Sequence, residues 1–222
     1  MRLFNILPVG IRRSIKGQLA DTMERIISRG LQPEQRFFLE ERHLQNCTFI
    51  RNREEMLHCM PSNAVVAEIG VLHGDFASEI LQRSHPEKLF LIDSWEREFS
   101  RLKNEVAQRF KTEIGAGVVE IVQSNSIKAL NSFPDHFFDW VYLDSDHSYP
   151  YTLEELKVLD RKIKPSGIIC GDDYTMGVWY IWNSFGVIQS VNEFCISHDY
   201  ELVYFALAPG MFNSFAIRKI KN

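Results

Sequence analysis

Two short apolar runs in this chain end in acids. Phe138-Asp139-Trp140-Val141-Tyr142-Leu143 is followed by Asp144, Asp146, His147 and Tyr149, and Gly167-Ile168-Ile169-Cys170-Gly171 is followed by Asp172 and Asp173. The first run is rich in strand formers and too short for a helix, so it reads as a central strand of a parallel sheet. Ligands of open α/β sheets sit beyond the carboxyl ends of such strands. Asp144, Asp172 and Asp173 are three hard oxygen donors there, a set that suits Mg²⁺ completed by water and substrate. Unpaired, they would repel one another, and a cation would relieve that. Asp146 is the first candidate for general base, because it leaves the same strand end two residues after Asp144. His147 is the second, its alternative being a ring hydrogen-bonded to backbone. Capping of the next helix accounts for one of these residues at most, since Ser148 could cap it alone. Tyr149 and Tyr174 are expected to shape the pocket, a tyrosine hydroxyl titrating near pH ~10.

A second group of residues suits a nucleoside-bearing cofactor. Val65 to Ile69 is a buried-type strand running into Gly70-Val71-Leu72-His73-Gly74, where Gly70 and Gly74 let the backbone approach a ligand. Leu72 breaks the G-x-G-x-x-G dinucleotide fingerprint, which argues against a nicotinamide-dependent reductase. Asp93, ending the run Leu89 to Ile92, can accept both hydroxyls of a ribose. Ser124 and Asn125 end a third strand, Val118 to Val122, where they can meet an adenine edge. Ser126 is the expected cap of a helix from Ile127 to Phe133.

These residues need strands alternating with helices. The helices expected between them are Asp75 to Arg83, about Glu98 to Ile114, and Thr152 to Ile163, the last stopped by a turn at Lys164-Pro165-Ser166-Gly167. A further helix is expected over about Val178 to His198. Two last strands, Leu202 to Leu207 and Phe215 to Ile220, flank Pro209-Gly210. Seven strands with helices between the first five make the fold class α/β, a doubly wound and mostly parallel sheet. Residues 1–60 read as an N-terminal helical extension, a lid or dimer contact, and residues 61–222 as the main domain. In the extension, Ile11, Ile15, Leu19, Met23 and Ile27 mark one face of an amphipathic helix, Pro33 to Phe49 carries paired aromatics among charges, and Arg51 to Cys59 reads as a short helix.

Composition bounds the partners. The 222 residues are 45% hydrophobic with a net charge of −4, which fits one sizeable domain and argues against a broad nucleic-acid footprint. No apolar run approaches the roughly 20 residues of a membrane span. The first residues lack the pattern of a signal peptide. Cys47, Cys59, Cys170 and Cys195 show no C-x-x-C spacing and read as buried free thiols of a cytoplasmic protein.

Val65 to Ile80, Leu89 to Asp93, Asp139 to Tyr149 and Ile163 to Tyr174 together resemble class I S-adenosylmethionine-dependent methyltransferases. The likeness is closest to the small bacterial group that includes macrocin-type sugar O-methyltransferases, with catechol O-methyltransferase further off. It covers roughly residues 50 to 220. The resemblance implies a Rossmann-like methyltransferase fold with S-adenosyl-L-methionine as cofactor. Glu68, Gly70 and Gly74 would line its methionine and ribose end, Asp93 would hold the ribose, and Ser124-Asn125 would flank the adenine. Ser94, Trp95 and Asp144 fall in the same cofactor-binding stretches, with Trp95 able to stack on the adenine or to pack inside. Ser124-Asn125 departs from the Gly-Asp of many relatives. The resemblance also implies that Asp144, Asp172 and Asp173 bind Mg²⁺.

The expectation is therefore Mg²⁺-assisted O-methylation of a small hydroxylated acceptor, such as a sugar or glycosylated natural product. Two alternatives stand beside it: a metal-independent methyltransferase on another acceptor, and a non-catalytic scaffold. The acceptor pocket is expected from the N-terminal segment, the loop Trp95 to Arg101 and the stretch Tyr174 to Trp182, where Trp179, Trp182 and Phe185 have helical spacing. A homodimer through the N-terminal helices is expected by likeness to similar enzymes.

Overall fold

In a computed structural model of the chain, residues 37–178 and 183–221 are described. Residues 37–222 form one compact unit. The amphipathic helix over Ile11 to Ile27, the dimer contact placed there, and Trp179 and Trp182 lie outside the described residues.

Eight strands form one sheet. They are β1 (Thr48–Ile50), β2 (Val65–Ile69), β3 (Lys88–Asp93), β4 (Val119–Gln123), β5 (Phe138–Leu143), β6 (Ile163–Gly171), β9 (Tyr200–Ala206) and β10 (Ser214–Lys219), in the order β1-β9-β10-β6-β5-β2-β3-β4. Strands β2 to β6 run parallel, and β10 lies antiparallel between β6 and β9. This is the doubly wound α/β methyltransferase sheet expected, with one strand more. The addition is β1, where Thr48-Phe49-Ile50 pairs parallel with β9. Its β-branched and aromatic residues suit a strand better than the helix that the surrounding charges suggest.

The connections are α1 (Arg53–Met56), α2 (Asp75–Ser84), α3 (Leu102–Arg109), α4 (Lys111–Gly115), α5 (Ser126–Ser132), α6 (Tyr149–Lys162) and α7 (Val187–His198). Alternation along the strands divides the core between two faces. Ala67, Ile69, Val141, Leu143 and Ile169 face α6 and α7, while Val66, Trp140, Tyr142 and Cys170 pack with Phe76, Ile80 and Trp95 on the other side.

Five expectations are corrected. The long helix over Glu98 to Ile114 is two helices, because Phe110 ends one and caps the next with its buried ring in the core. The helix expected from Val178 starts only at Val187; Gly177–Val178 (β7) and Asn183–Ser184 (β8) pair as a small antiparallel hairpin instead. Lys164 to Gly167 is not a turn but the first half of β6, accommodated by a register shift against β5 between Phe138 and Trp140. The four cysteines are free, but only Cys170 and Cys195 are buried; Cys59 is exposed. Residues 37–60 belong to the compact unit with the sheet rather than apart from it, and supply it with β1 and α1. Among the described residues no helix is long and apolar enough to cross a membrane.

Candidate active site

The sheet changes winding direction between β2 and β5, which are neighbours although β3 and β4 intervene in sequence. Such a switch point leaves a crevice above the strand ends. A cleft of about 740 Å³ opens there, walled by Glu68 to His73, Asp93-Ser94, Ser124 to Ser126 and Asp144 to His147.

Gly70 makes the cleft possible. Its φ is +84°, and a Cβ on it would stand 1.8 Å from the Asp144 carbonyl oxygen. Only glycine lets β2 turn away this close to β5. Gly74, with φ +75°, starts α2 in the left-handed region and abuts the Phe110 ring. The turn between them is pinned by Asp93, whose Oδ2 accepts the N–H groups of Val71 (2.8 Å) and Leu72 (3.0 Å) while Oδ1 accepts that of Trp95 (2.8 Å). The residue expected to hold a ribose thus also fixes the loop on which the cofactor would lie.

Glu68 is 2% exposed, on the cleft floor, and its Oε2 has no hydrogen-bond partner. Burial, then the nearby Asp144 carboxylate, hold its carboxyl well above the usual range, with Arg53 pulling it back. A buried carboxylate oxygen without a partner suits a cationic ligand end, and S-adenosylmethionine carries both an ammonium and a sulfonium. The glycine cradle and this orphaned acid fit that cofactor.

At the other end of the cleft, Asn125 rather than Ser126 caps α5, accepting the Lys128 N–H at 3.3 Å. Asn125 also donates to the Tyr151 hydroxyl, which lies 3.0 Å from Ser126 Oγ. Beneath them Glu155 is wholly buried, accepts from Ser145 Oγ at 2.6 Å, and leaves Oε2 without a partner. Burial pushes its carboxyl up to about 7, with partial relief from the Ser126 and Ser145 hydroxyls. Ser94 and Ser124 line the cleft as expected. Trp95 does not: it is 1% exposed, sits in the core beside Phe76 and Val106, and donates its indole N–H to the Leu72 carbonyl at 3.0 Å. Tyr149 and Tyr174 also point elsewhere, to Glu193 and to Asn192 on α7.

The acids regroup relative to expectation. Asp144, His147 and Asp173 each place a ligand atom within 4.8 Å of the others. His147 Nε2 lies 2.6 Å from Asp173 Oδ2 and 3.5 Å from Asp144 Oδ1. Neither oxygen is in line with a ring N–H, so the contacts are ionic rather than directed hydrogen bonds. Although burial disfavours the charged ring, the two carboxylates outweigh it and push His147 up to about 10. Its ring stacks on Phe185, centroids 4.5 Å apart. Asp172, expected in this group, is drawn away: Oδ2 pairs with the Arg53 guanidinium and Oδ1 accepts from Ser214 Oγ at 2.8 Å. Burial and then Asp144 still raise its carboxyl to about 6. Asp146 is exposed at the cleft edge, and its Oδ1 accepts the Ser148 N–H at 2.7 Å, so this acid rather than the Ser148 side chain starts α6.

Arg53, Tyr151 and Glu155 were not expected in the site. Arg53 lies in a charged helical turn that reads as solvated surface, and Tyr151 and Glu155 are ordinary members of the α6 pattern.

Residues 67–174 match a family profile described as Methyltransferase domain. No curated protein matches the chain in sequence. Among solved structures, a proposed rRNA methylase from Clostridium thermocellum superposes with a TM-score of 0.59 at 14% identity, covering 78% of this chain and 98% of that one. Precorrin-6y C5,15-methyltransferase from Geobacter metallireducens gives 0.56 at 15%, covering 75% and 86%. The 1,6-didemethyltoxoflavin-N1-methyltransferase of Burkholderia thailandensis, solved with S-adenosylhomocysteine, gives 0.54 at 17%, covering 76% of each chain. At these identities the structures show the shared fold alone. Fold and domain match together support an S-adenosylmethionine-dependent methyltransferase of class I.

Proposed function

We propose that the protein methylates a hydroxyl oxygen of a small hydroxylated acceptor, such as a sugar or glycosylated natural product, with a divalent cation assisting. The observation that carries this reading is the convergence of Asp144, His147 and Asp173 at the cleft edge. Two carboxylates and an imidazole are a ligand set for Mg²⁺, or for Mn²⁺ or a similar ion that tolerates nitrogen. In this reading Asp144 and Asp173 serve as the ligands that the resemblance implies, and His147 takes the part given there to Asp172. When bound, the cofactor supplies an activated methyl group on a sulfonium, and the cation lowers the pKa of an acceptor hydroxyl and orients it.

The chain's own residues supply the rest. Glu68 and the Gly70 turn receive the cationic end of the cofactor, and Asp93, Ser124 and Asn125 meet its nucleoside. The acceptor oxygen gains the methyl group, the carbon–sulfur bond breaks to leave a neutral thioether, and the hydroxyl proton must go to a base. Asp146 is that base in this reading: Oδ1 is taken by the turn, and Oδ2 is left for the proton at the cleft edge. As a ligand, His147 would release its Nε2 proton to take the ion, and a ring nitrogen spent on the ion is not free to act as the base.

One observation favours a metal-independent version of the same methyltransferase: a protonated His147 already offsets half of the charge of Asp144 and Asp173. Calorimetric titration of S-adenosylhomocysteine, with Mg²⁺ or Mn²⁺ and then with EDTA, separates the two. Cofactor binding together with a separate heat from the ion, lost in Asp173→Asn, supports the cation-assisted reading. Cofactor binding with no ion binding leaves the metal-independent one. No cofactor binding under either condition removes the enzyme reading and returns the protein to a scaffold.

A further inference from the structure

A second cavity, of about 500 Å³, lies on the far side of Arg53. It is walled by Asn52, Arg53 and Glu54 from α1 and its cap, by Asp172 and Asp173, and by the loop from Leu207 to Ser214 that joins β9 to β10. Arg53 lines both this cavity and the cofactor cleft. Asp173 lines it too, and belongs to the cation cluster whose other members face the cleft. The two spaces are therefore neighbours across one guanidinium and one carboxylate. Of the stretches expected to build the acceptor pocket, the N-terminal segment contributes Asn52 to Glu54, whereas among the described residues neither the loop after Trp95 nor the aromatics after Tyr174 lines this cavity; the loop instead borders a smaller recess of about 260 Å³ beside Ser94.

We infer that this cavity is the acceptor site, that Arg53 is the residue positioning the acceptor against the cofactor, and that the acceptor is a neutral polyhydroxyl molecule without phosphate or carboxylate. The inference rests on the methyltransferase reading above. Its volume falls within the roughly 300–1,000 Å³ of small-molecule sites. Its lining selects against anions. One guanidinium faces three carboxylates, and that guanidinium is already engaged: it pairs with Asp172 and stands 3.5 Å from Glu54 Oε1. It also lies over the Phe76 ring, 4.7 Å from the centroid, which holds it in place. An acceptor phosphate would have to strip Arg53 from a buried acid and then face Glu54 and Asp173. Sugar hydroxyls can instead donate to these carboxylates while Arg53 donates to a ring or hydroxyl oxygen, with Phe212 and Pro209 offering apolar contact. The same argument disfavours a nucleic-acid backbone, whose recognition needs free cations.

The test uses the full chain loaded with S-adenosylhomocysteine and Mg²⁺, and two probes: p-nitrophenyl β-D-glucoside and its 6-phosphate. Binding is read by saturation-transfer difference NMR, and cofactor affinity is read on the same samples. The glucoside should bind at least about tenfold tighter than its phosphate. Gly210→Trp should abolish the glucoside signal by filling the cavity. That glycine borders the space, and a Cβ there meets no atom within 4 Å, so the change is compatible with the fold. Cofactor affinity should stay within about twofold, since Gly210 lines this cavity and not the cofactor cleft. Glu54→Gln should narrow the preference by raising the phosphate's affinity, an effect a purely structural role for Glu54 would not produce. A glucoside signal unmoved by Gly210→Trp, no glucoside binding to the loaded protein, or a phosphate that binds as tightly as the glucoside would each overturn the inference. Loss of cofactor binding in the unmodified protein would instead strike at the proposed function.

Discussion

His147 Nε2 and Asp173 Oδ2 stand 2.6 Å apart although they leave different strands, β5 and β6. Their meeting depends on the parallel register that sets Leu143 opposite Gly171, so that both strands end at one height. With Asp144 they form the group to which a divalent ion is assigned. At ten times its dissociation constant, such an ion should stabilise the fold by about 1.4 kcal/mol. The check is thermal unfolding with Mn²⁺ against EDTA. Asp173→Asn and His147→Ala should each weaken the ion's effect by at least about tenfold. A transition that does not respond to any divalent ion would remove the site.

Asp146 carries two roles that one substitution can separate. Its Oδ1 starts α6 by accepting the Ser148 N–H, and its other oxygen is the proposed proton acceptor. Asp146→Asn keeps the turn and removes the base. Stability should change by less than about 0.5 kcal/mol, while methyl transfer should fall by about 10²-fold or more. Asp146→Ala should lose the turn as well, at a further cost of about 1 kcal/mol. Radiolabelled methyl transfer beside chemical denaturation reads both. Equal rates for Asp146→Asn and the unmodified protein would pass the base role to another group.

The sheet, and the placing of Gly70, Asp93, Ser124 and Asn125 around one cleft, were legible in the sequence because both depend on local signals. Strand runs such as Val65 to Ile69 end abruptly in glycine or acid, and the residues next after a parallel strand must lie at its carboxyl end. Gly70, Asp93, Ser124 and Asn125 therefore fell where strand ends place them. The acids were harder. Asp172 and Asp173 are adjacent, and nothing local says that Arg53, 119 residues earlier, takes one of them and leaves the other for His147. Trp95 was left open for a related reason: an aromatic after a strand can face the crevice or the core, and the choice here is made by the backbone, whose φ is +42°. β1 was missed because its pairing with β9 is made across more than 150 residues.

Glu155 should give stability an inverted pH dependence. Its carboxyl titrates near 7 when folded, against roughly 4.5 when exposed. Below the exposed value both states hold the proton and the fold is unpenalised. As pH rises towards 7 the unfolded chain releases its proton while the folded one keeps it, so stability falls, by about 3 kcal/mol in all. Glu68 is shifted in the same direction and adds to the loss. Glu155→Gln should remove Glu155's share, and the variant should be more stable than the unmodified protein at pH 8 but not at pH 4.5. Urea denaturation at the two values measures it. Equal stabilities at pH 8 would mean that the buried carboxylate has found a partner, through water or a shift of Ser126.

Gly70→Ala tests whether the cleft depends on the close approach of β2 and β5. The added Cβ would stand 1.8 Å from the Asp144 carbonyl oxygen and 3.0 Å from the Ser145 Cα, and both are backbone atoms that cannot rotate aside. The residue would also be held at φ +84°, where alanine is strained by about 1–2 kcal/mol. Either the strand ends part or the turn flips, and each outcome moves Val71 and Leu72 off Asp93. Cofactor binding should fall by about 10²-fold or more, while the sheet below, paired from Val66 to Ile69 with β5, holds the fold together. Calorimetry with S-adenosylhomocysteine, alongside circular dichroism to show that the sheet persists, reads the result. Gly74→Ala is the matched control. It carries the same left-handed strain, at φ +75°, but its Cβ would meet side chains that can give way, the Phe110 ring at 2.8 Å and Val106 at 3.5 Å, so its loss of affinity should be at least about tenfold smaller. If both variants bind the cofactor like the unmodified protein, the turn after β2 is not where the cofactor lies.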